Sequence, residues 1–319
     1  MNTVARLIAY LAGLALVFGV AWGVGTSVGA TPSAAAPAPS GAPSTGDDMD
    51  GMAGMDGMPG MGGSGGGAPT AAPLSPAGAD SGGLTTTSAG YTFVPQTPTL
   101  TPGTAVDFTF TITGSDGRPV TAFDELHGRQ MHLVVARRDG TGFQHLLPSR
   151  DANGTWHVPL ALATPGVYRA FADFIPSGGP ALVLGADLFA AGDFAFTTPP
   201  LSRVAQVDGF TVRLDGRLVP GSPSQVFATV SRAGAAVTDL QPYLGAFGHL
   251  VALRQEDFSY LHVYPSASST AEPAPTDRAG PAVAFTASVS LPGTYRLFLE
   301  FREGDVVHTA DFTVASGAS

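Results

Sequence analysis

The chain has 319 residues, 13% of them charged, and a formal net charge of −10, with every one of its fifteen basic residues an arginine. That balance argues against nucleic acid, which needs clustered basic side chains. The absence of cysteine rules out disulfide stapling, thiolate catalysis and blue-copper ligation, so apolar burial must hold the fold.

Residues 1–30 carry one early charge, Arg6, and are then uncharged through Ala30. Such a run is long enough to cross about 30 Å of hydrocarbon as a helix. It exceeds the usual apolar length of a cleaved leader, although Val28-Gly29-Ala30 offers a small-residue cleavage site. No further positive charge occurs before Arg118. The expectation is a single-pass cell-membrane anchor with a cytoplasmic N-terminus and an extracytoplasmic bulk.

Residues 31–88 are dominated by Ala, Pro, Gly, Ser and Thr, a composition too poor in apolar residues to offset its own ordering entropy. They read as a disordered linker. Within it, M-D-G-M-A-G-M-D-G-M-P-G-M places Met49, Met52, Met55, Met58 and Met61 at a strict interval of three, beside Asp47, Asp48, Asp50 and Asp56. Gly and Pro neighbours give these sulfurs nothing to pack against. Thioether sulfur is a soft ligand that selects Cu(I), and the carboxylates add hard donors. The spacing therefore points to a mobile metal-capturing arm built from the five methionines with Asp48 and Asp50. The competing reading is low-complexity drift.

After Tyr91 the texture changes to short β-type runs between turn residues, with no helical period. A shift of 117 residues superposes 110–149 on 227–266: Gly128 falls on Gly245, His132-Leu133-Val134 on His249-Leu250-Val251, and His145 on His262. A shift of 127 superposes P-G-V-Y-R-A-F-A-D-F (165–174) on P-G-T-Y-R-L-F-L-E-F (292–301). The expected fold is all-β: two tandem immunoglobulin-like β-sandwiches, at 89–199 and 201–316, following the transmembrane helix and the linker. The tyrosine of P-G-x-Y-R reads as a sandwich packing element.

The repeat singles out two histidine pairs, His132 with His145 and His249 with His262. Each brackets a turn, R-R-D-G in one copy and R-Q-E-D in the other. A four-residue loop would set the two rings of a pair directly opposite one another, where they can chelate one ion. His308 would complete a triad in the second copy, where Leu184 stands in the first. His127 is a third histidine of the first copy only. The rival reading buries His132 and His249 for packing, each satisfied by a backbone carbonyl. His157 has no counterpart and reads as a surface residue. No nucleophile elbow, zincin motif, phosphate loop or dinucleotide fingerprint is present, so an enzyme is not expected.

The Met-x-x-Met string resembles those of periplasmic copper-resistance proteins. The runs Y-L-G-A-F-G-H-L-V-A-L-R, Y-L-H-V-Y-P and P-G-T-Y-R-L-F-L-E-F resemble secreted or membrane-anchored proteins of high-GC bacteria associated with heavy-metal handling. That resemblance covers 225–314 well and 91–195 more loosely, and it implies His249, His262 and His308 as metal ligands. The related pattern shows H-V-H-P where this chain has Tyr264. Two functions are expected: an anchored copper-binding protein that buffers copper or passes it to a membrane copper transporter, or a non-catalytic interaction or adhesion module of the cell envelope without metal.

Overall fold

The run V-D-F-T-F-T-I-T alternates apolar with polar residues, so as a strand it turns Phe108, Phe110 and Ile112 to one face and its threonines to the other. A computed structural model describes residues 82–266 and 272–317, and that run is one of its strands. The first half holds β1 (Thr87–Ser88), β2 (Tyr91–Pro95), β3 (Thr99–Leu100), β4 (Val106–Thr113), β5 (Phe123–Asp124), β6 (His132–Arg137), β7 (Gln144–Leu146), β8 (Ser149–Arg150), β9 (Thr155–Leu160), β10 (Gly166–Pro176) and β11 (Leu182–Ala190). The second holds β12 (Val204–Val207), β13 (Phe210–Gly216), β14 (Ser224–Arg232), β15 (Ala235–Ala236), β16 (His249–Arg254), β17 (Tyr260–Pro265), β18 (Ala282–Ala287), β19 (Thr294–Glu303) and β20 (Val306–Ala315). No helix among the described residues is long and apolar enough to cross a membrane. The expected anchor (1–30) and the methionine run (49–61) lie outside the described residues.

In the first half an outer sheet, β1–β2–β4–β9–β8, faces an inner sheet, β3–β11–β10–β6–β7, with β5 beside β10. Phe93, Phe110 and Trp156 of the outer sheet meet Leu133, Tyr168 and Leu184 of the inner sheet in one core. In the second half one continuous sheet runs β12–β13–β14–β18–β17–β16–β19–β20. It folds over at β17, which pairs with β16 through Leu250↔Val263 and with β18 through Tyr264↔Thr286. Phe210, Phe285, Phe301 and Phe312 fill the space it encloses.

The repeat falls on equivalent strands. β6 and β16 coincide under the 117-residue shift, and β10 and β19 under the 127-residue shift. The P-G-x-Y-R tyrosines sit at the starts of β10 and β19, and each hydroxyl donates to a carbonyl four residues upstream: Tyr168 to Thr164 at 2.8 Å, Tyr295 to Leu291 at 2.6 Å. This is the tyrosine corner of immunoglobulin-type sandwiches.

Outer and inner strands differ in burial. β13, β14 and β18 alternate buried with wetter positions. In β6 every residue is buried, and β10, β16 and β19 are buried nearly throughout. The cause is a third apolar cluster in which Val134, Ala136, Phe171 and Val183 pack against Val251, Leu253, Tyr260 and Phe298. The inner sheet of the first half thus lies face to face with β16 and β19 of the second, and both sides of these strands are covered. The described residues belong to a single compact unit.

One boundary moves. Residues 82–88, assigned to the linker by composition, are part of the fold: β1 pairs with β2, and Gly82 through Thr86 lie against both halves. Hydrogen bonds from the backbone and from Arg169 supply what the sparse side chains of this segment cannot.

Candidate functional site

The repeated histidines begin β6 and β16, three residues after a tight turn. In L-H-G-R (126–129) and Y-L-G-A (243–246) both central residues have positive φ: His127 50° and Gly128 69°, Leu244 50° and Gly245 75°. That is the type I′ geometry whose twist suits a hairpin, and glycine adopts it without strain. His132 Nε2 donates to the Leu126 carbonyl at 2.8 Å, and His249 Nε2 to the Tyr243 carbonyl at 2.7 Å. Each histidine therefore pins the turn before its strand, in the same way in both copies. This matches the packing alternative read from the sequence.

Cross-strand placement differs from expectation. His145 pairs with Val134 and His262 with Val251, so each pair of histidines stands diagonally rather than directly opposite. The reason is a longer turn. In the first copy Asp139 organises it, accepting from Arg137 Nε and from the Thr141 amide and hydroxyl. Burial pushes the Asp139 carboxyl up, but bonds from Arg137, Thr141 and Thr197 outweigh that and hold it below the usual range. In the second copy the Arg254 amide bonds the Ser259 carbonyl, and Phe258 takes positive φ.

Diagonal neighbours remain within reach of long side chains. His132 Nδ1 and His145 Nε2 are 3.0 Å apart. His145 Nδ1 then meets Glu300 Oε2 of the second sandwich at 2.5 Å. A hydrogen must lie in each of these two contacts, and a third on His132 Nε2 facing the Leu126 carbonyl. Two neutral imidazoles supply two of these hydrogens, and the third lies between His145 Nδ1 and Glu300 Oε2. The group is enclosed: the His145 side chain is 1% exposed and that of Glu300 7%.

Around this chain the two copies answer one another. Glu300 and Asp173 occupy the same repeat position, cross-strand from His249 and His132 respectively. Each is reached from the other copy, Glu300 by His145 and Asp173 by the Tyr260 hydroxyl at 3.3 Å. Phe143 of the first copy stacks on Phe298 of the second at 4.1 Å. Tyr260, at the repeat position of Phe143, stacks on Phe171, at that of Phe298, at 5.2 Å. The seam is an approximately two-fold contact within one chain. The His127 ring lies 6.4 Å from that of His132 and 6.0 Å from that of His249, closing the polar end of the seam. Tyr243 stands beside it, its phenol pushed up to about 12 by burial and then by the charge of Glu300.

His308 does not join this group, which corrects the expected triad of His249, His262 and His308. It pairs with Phe301 on β19, one residue past Glu300, and successive residues of a strand point to opposite faces. Glu300 faces the seam, whereas His308 packs on Phe210 at 4.7 Å and Phe301 at 5.3 Å. Its Nδ1 meets Asp208 at 2.8 Å. It fills a core position, as Leu184 does in the first copy. Among the described residues no group of three His, Cys, Asp or Glu stands where it could hold a metal ion. Met49, Met52, Met55, Met58, Met61, Asp48 and Asp50 lie outside those residues.

A family model described as a domain of unknown function, DUF8832, matches residues 86–183 and 205–317. The chain belongs to the DUF8832 family. One matched segment falls on each sandwich, so the repeat and the seam lie within the DUF8832 region and the methionine run outside it. No curated protein matches the chain. Solved structures with some likeness include the Escherichia coli adhesin FdeC, at 12% identity and a TM-score of 0.24, covering 72% of this chain and 64% of that one. Escherichia coli alpha-2-macroglobulin follows at 15% and 0.24, covering 71% and 20%. The D0-D1 domain of intimin stands at 11% and 0.19, covering 70% and 97%. The chain spans less than two thirds of the first two, and scores this low bear on neither activity nor partners.

His157 lies on the outer sheet of the first DUF8832 segment, its side chain 38% exposed. Its Nδ1 meets Asp107 Oδ2 at 3.0 Å, and Asp151 stands 3.8 Å from Nε2. The bond to Asp107, opposed by partial desolvation and aided by the charges of Asp107 and Asp151, raises its pKa above the ordinary 6.5. A folded-state pKa above the unfolded one contributes stability that is complete below pH 6.5 and is lost as pH rises through the folded value. An NMR titration of the ring is expected to show a midpoint above 6.5, returning towards it in Asp107→Asn.

Proposed function

We propose that the chain is a non-catalytic interaction module of the cell envelope: two immunoglobulin-like sandwiches joined into one body and displayed outside the cytoplasm from an N-terminal membrane anchor. One observation carries this reading. His132 and His145, two of the side chains that the sequence offers as a site, are enclosed and linked by hydrogen bonds to Glu300 across the seam, joining the sandwiches rather than facing a substrate. Buried polar networks that are fully satisfied rigidify a structure and specify a single arrangement. A rigid body with its loops outward suits presentation of a surface.

A second reading, copper capture by Met49, Met52, Met55, Met58 and Met61, is favoured by the three-residue spacing of those residues alone. In it the sandwiches are the body beside which the arm works, and a membrane copper transporter is the partner. One titration separates the two. Full-length protein, His145→Ala, and a variant with the five methionines changed to leucine are titrated calorimetrically with Cu(I) and Cu(II), and each is melted. The module reading expects His145→Ala to lower the melting temperature and to leave metal uptake at the wild-type level. Loss of a stoichiometric copper ion from a folded His145→Ala would overturn it.

A further inference from the structure

The segment just before β1 is held from both sandwiches at once. The Gly82 carbonyl accepts from the Tyr260 amide of the second sandwich at 2.8 Å. The Gly83 carbonyl accepts two N–H groups of the buried Arg169 of the first, from Nε at 3.0 Å and Nη2 at 2.6 Å. The Thr85 carbonyl accepts from the Gly185 amide at 2.9 Å, and Thr86 Oγ1 donates to the Gly185 carbonyl at 3.1 Å. Gly83 has φ +68°, and a Cβ there would stand 2.3 Å from a ring carbon of Phe171. Phe171 is also the ring on which Tyr260 stacks, so the segment lies against half of the aromatic seam.

The repeat gives this arrangement a counterpart. Arg296, at the position of Arg169, donates from Nε to the Gly140 carbonyl at 2.9 Å. Gly140 has φ +75°, and a Cβ there would stand 2.7 Å from the Arg296 side chain. In that case the captured glycine belongs to the first sandwich and the arginine to the second, so the contact closes the seam directly. The same device of arginine and glycine carbonyl therefore closes the seam in one copy and seats the incoming chain in the other.

We infer that residues 82–86 form a strap whose seating is coupled to closure of the seam, so that whatever pulls on or binds the N-terminal segment acts on the joint between the sandwiches. Adjacent carbonyls of the strap are held from opposite sandwiches. Parting the sandwiches must break one set of these bonds, and withdrawing the strap removes a contact from each side. Coupling of this kind is reciprocal. The inference rests on these contacts alone and stands whether or not the chain is an envelope module.

Hydrogen exchange on the full-length chain tests it, because local opening is read amide by amide. In Gly83→Ala the amides of Gly185 and Tyr260 are both expected to exchange at least about tenfold faster, while β4 and β13 stay protected. Phe143→Ala, which removes the other aromatic stack of the seam, is expected to accelerate the Gly185 amide as well. Should Gly83→Ala cost the protection of β4 or β13, Arg169→Lys carries the same test, since it keeps the charge and loses the two-pronged grip. Acceleration of Gly185 with Tyr260 unchanged would make the strap an appendage of the first sandwich only. An unchanged Gly185 in Phe143→Ala would break the coupling. Either result overturns the inference.

Discussion

Glu300→Ala is expected to destabilise the folded chain by about 3–5 kcal/mol, the range for removing one partner of a buried charged pair. The loss exceeds the worth of the hydrogen bond itself, because His145 would be left with a ring nitrogen that had faced the carboxylate and no water to replace it. His145→Ala leaves the carboxylate in the same position. The double variant removes both and is expected to cost less than the sum of the singles. The cycle, measured by urea denaturation, reads their coupling, and about 1 kcal/mol or more marks a real buried interaction. A Glu300→Ala loss below about 1 kcal/mol would place the pair in water and remove the argument that these groups join the sandwiches. The exposed pair of His157 and Asp107 serves as the control, since solvent screens it.

Much of the architecture is legible in the sequence, and the reason lies in particular residues. Alternation in V-D-F-T-F-T-I-T marks a strand with one wet face, and the gapless shift of 117 residues puts β6 on β16 because both begin with the same turn and histidine. P-G-x-Y-R announces a tyrosine corner, and Tyr168 and Tyr295 form one each. The seam also left a signal. H-L-V-V-A, Y-R-A-F-A-D-F and Y-R-L-F-L-E-F do not alternate, and a continuous apolar run in an antiparallel sheet means that both faces are covered. Both copies show it on the same two strands, which leaves the other copy as the cover.

The site was less legible. That His132 and His145 are neighbours followed from their spacing, but their diagonal placement depends on the turn around Asp139, whose side-chain bonds no spacing rule contains. Glu300 and Asp173 each sit in a run that otherwise reads as strand core, and only the seam explains a carboxylate there. His308 was misplaced because three histidines in one copy suggested a triad. A one-residue step along β19 sends it to the opposite face from His249. Side-chain direction in a strand is decided by register, and register is set by distant pairings.

Phe298→Ala is expected to cost about 3–5 kcal/mol, as for other buried aromatic truncations, and to change the form of unfolding as well as its midpoint. Phe298 is 3% exposed, faces the seam rather than the core of its own sandwich, and carries the stack with Phe143 and the Arg296 guanidinium at 5.1 Å. Phe301, three residues along the same strand, is the matched comparison: it is fully buried in the core of the second sandwich and meets Phe210 edge to face. Loss of Phe301 should lower the stability of the second sandwich and shift a single transition. Loss of Phe298 leaves both cores intact and weakens what joins them. The melt is therefore expected to split, with the two sandwiches unfolding at separate temperatures and a calorimetric enthalpy larger than the van't Hoff value. If both variants unfold in one shared transition, the sandwiches are held together by more than the seam's aromatic pairs. The polar group of His132, His145 and Glu300 would then be the joint that has to be cut next.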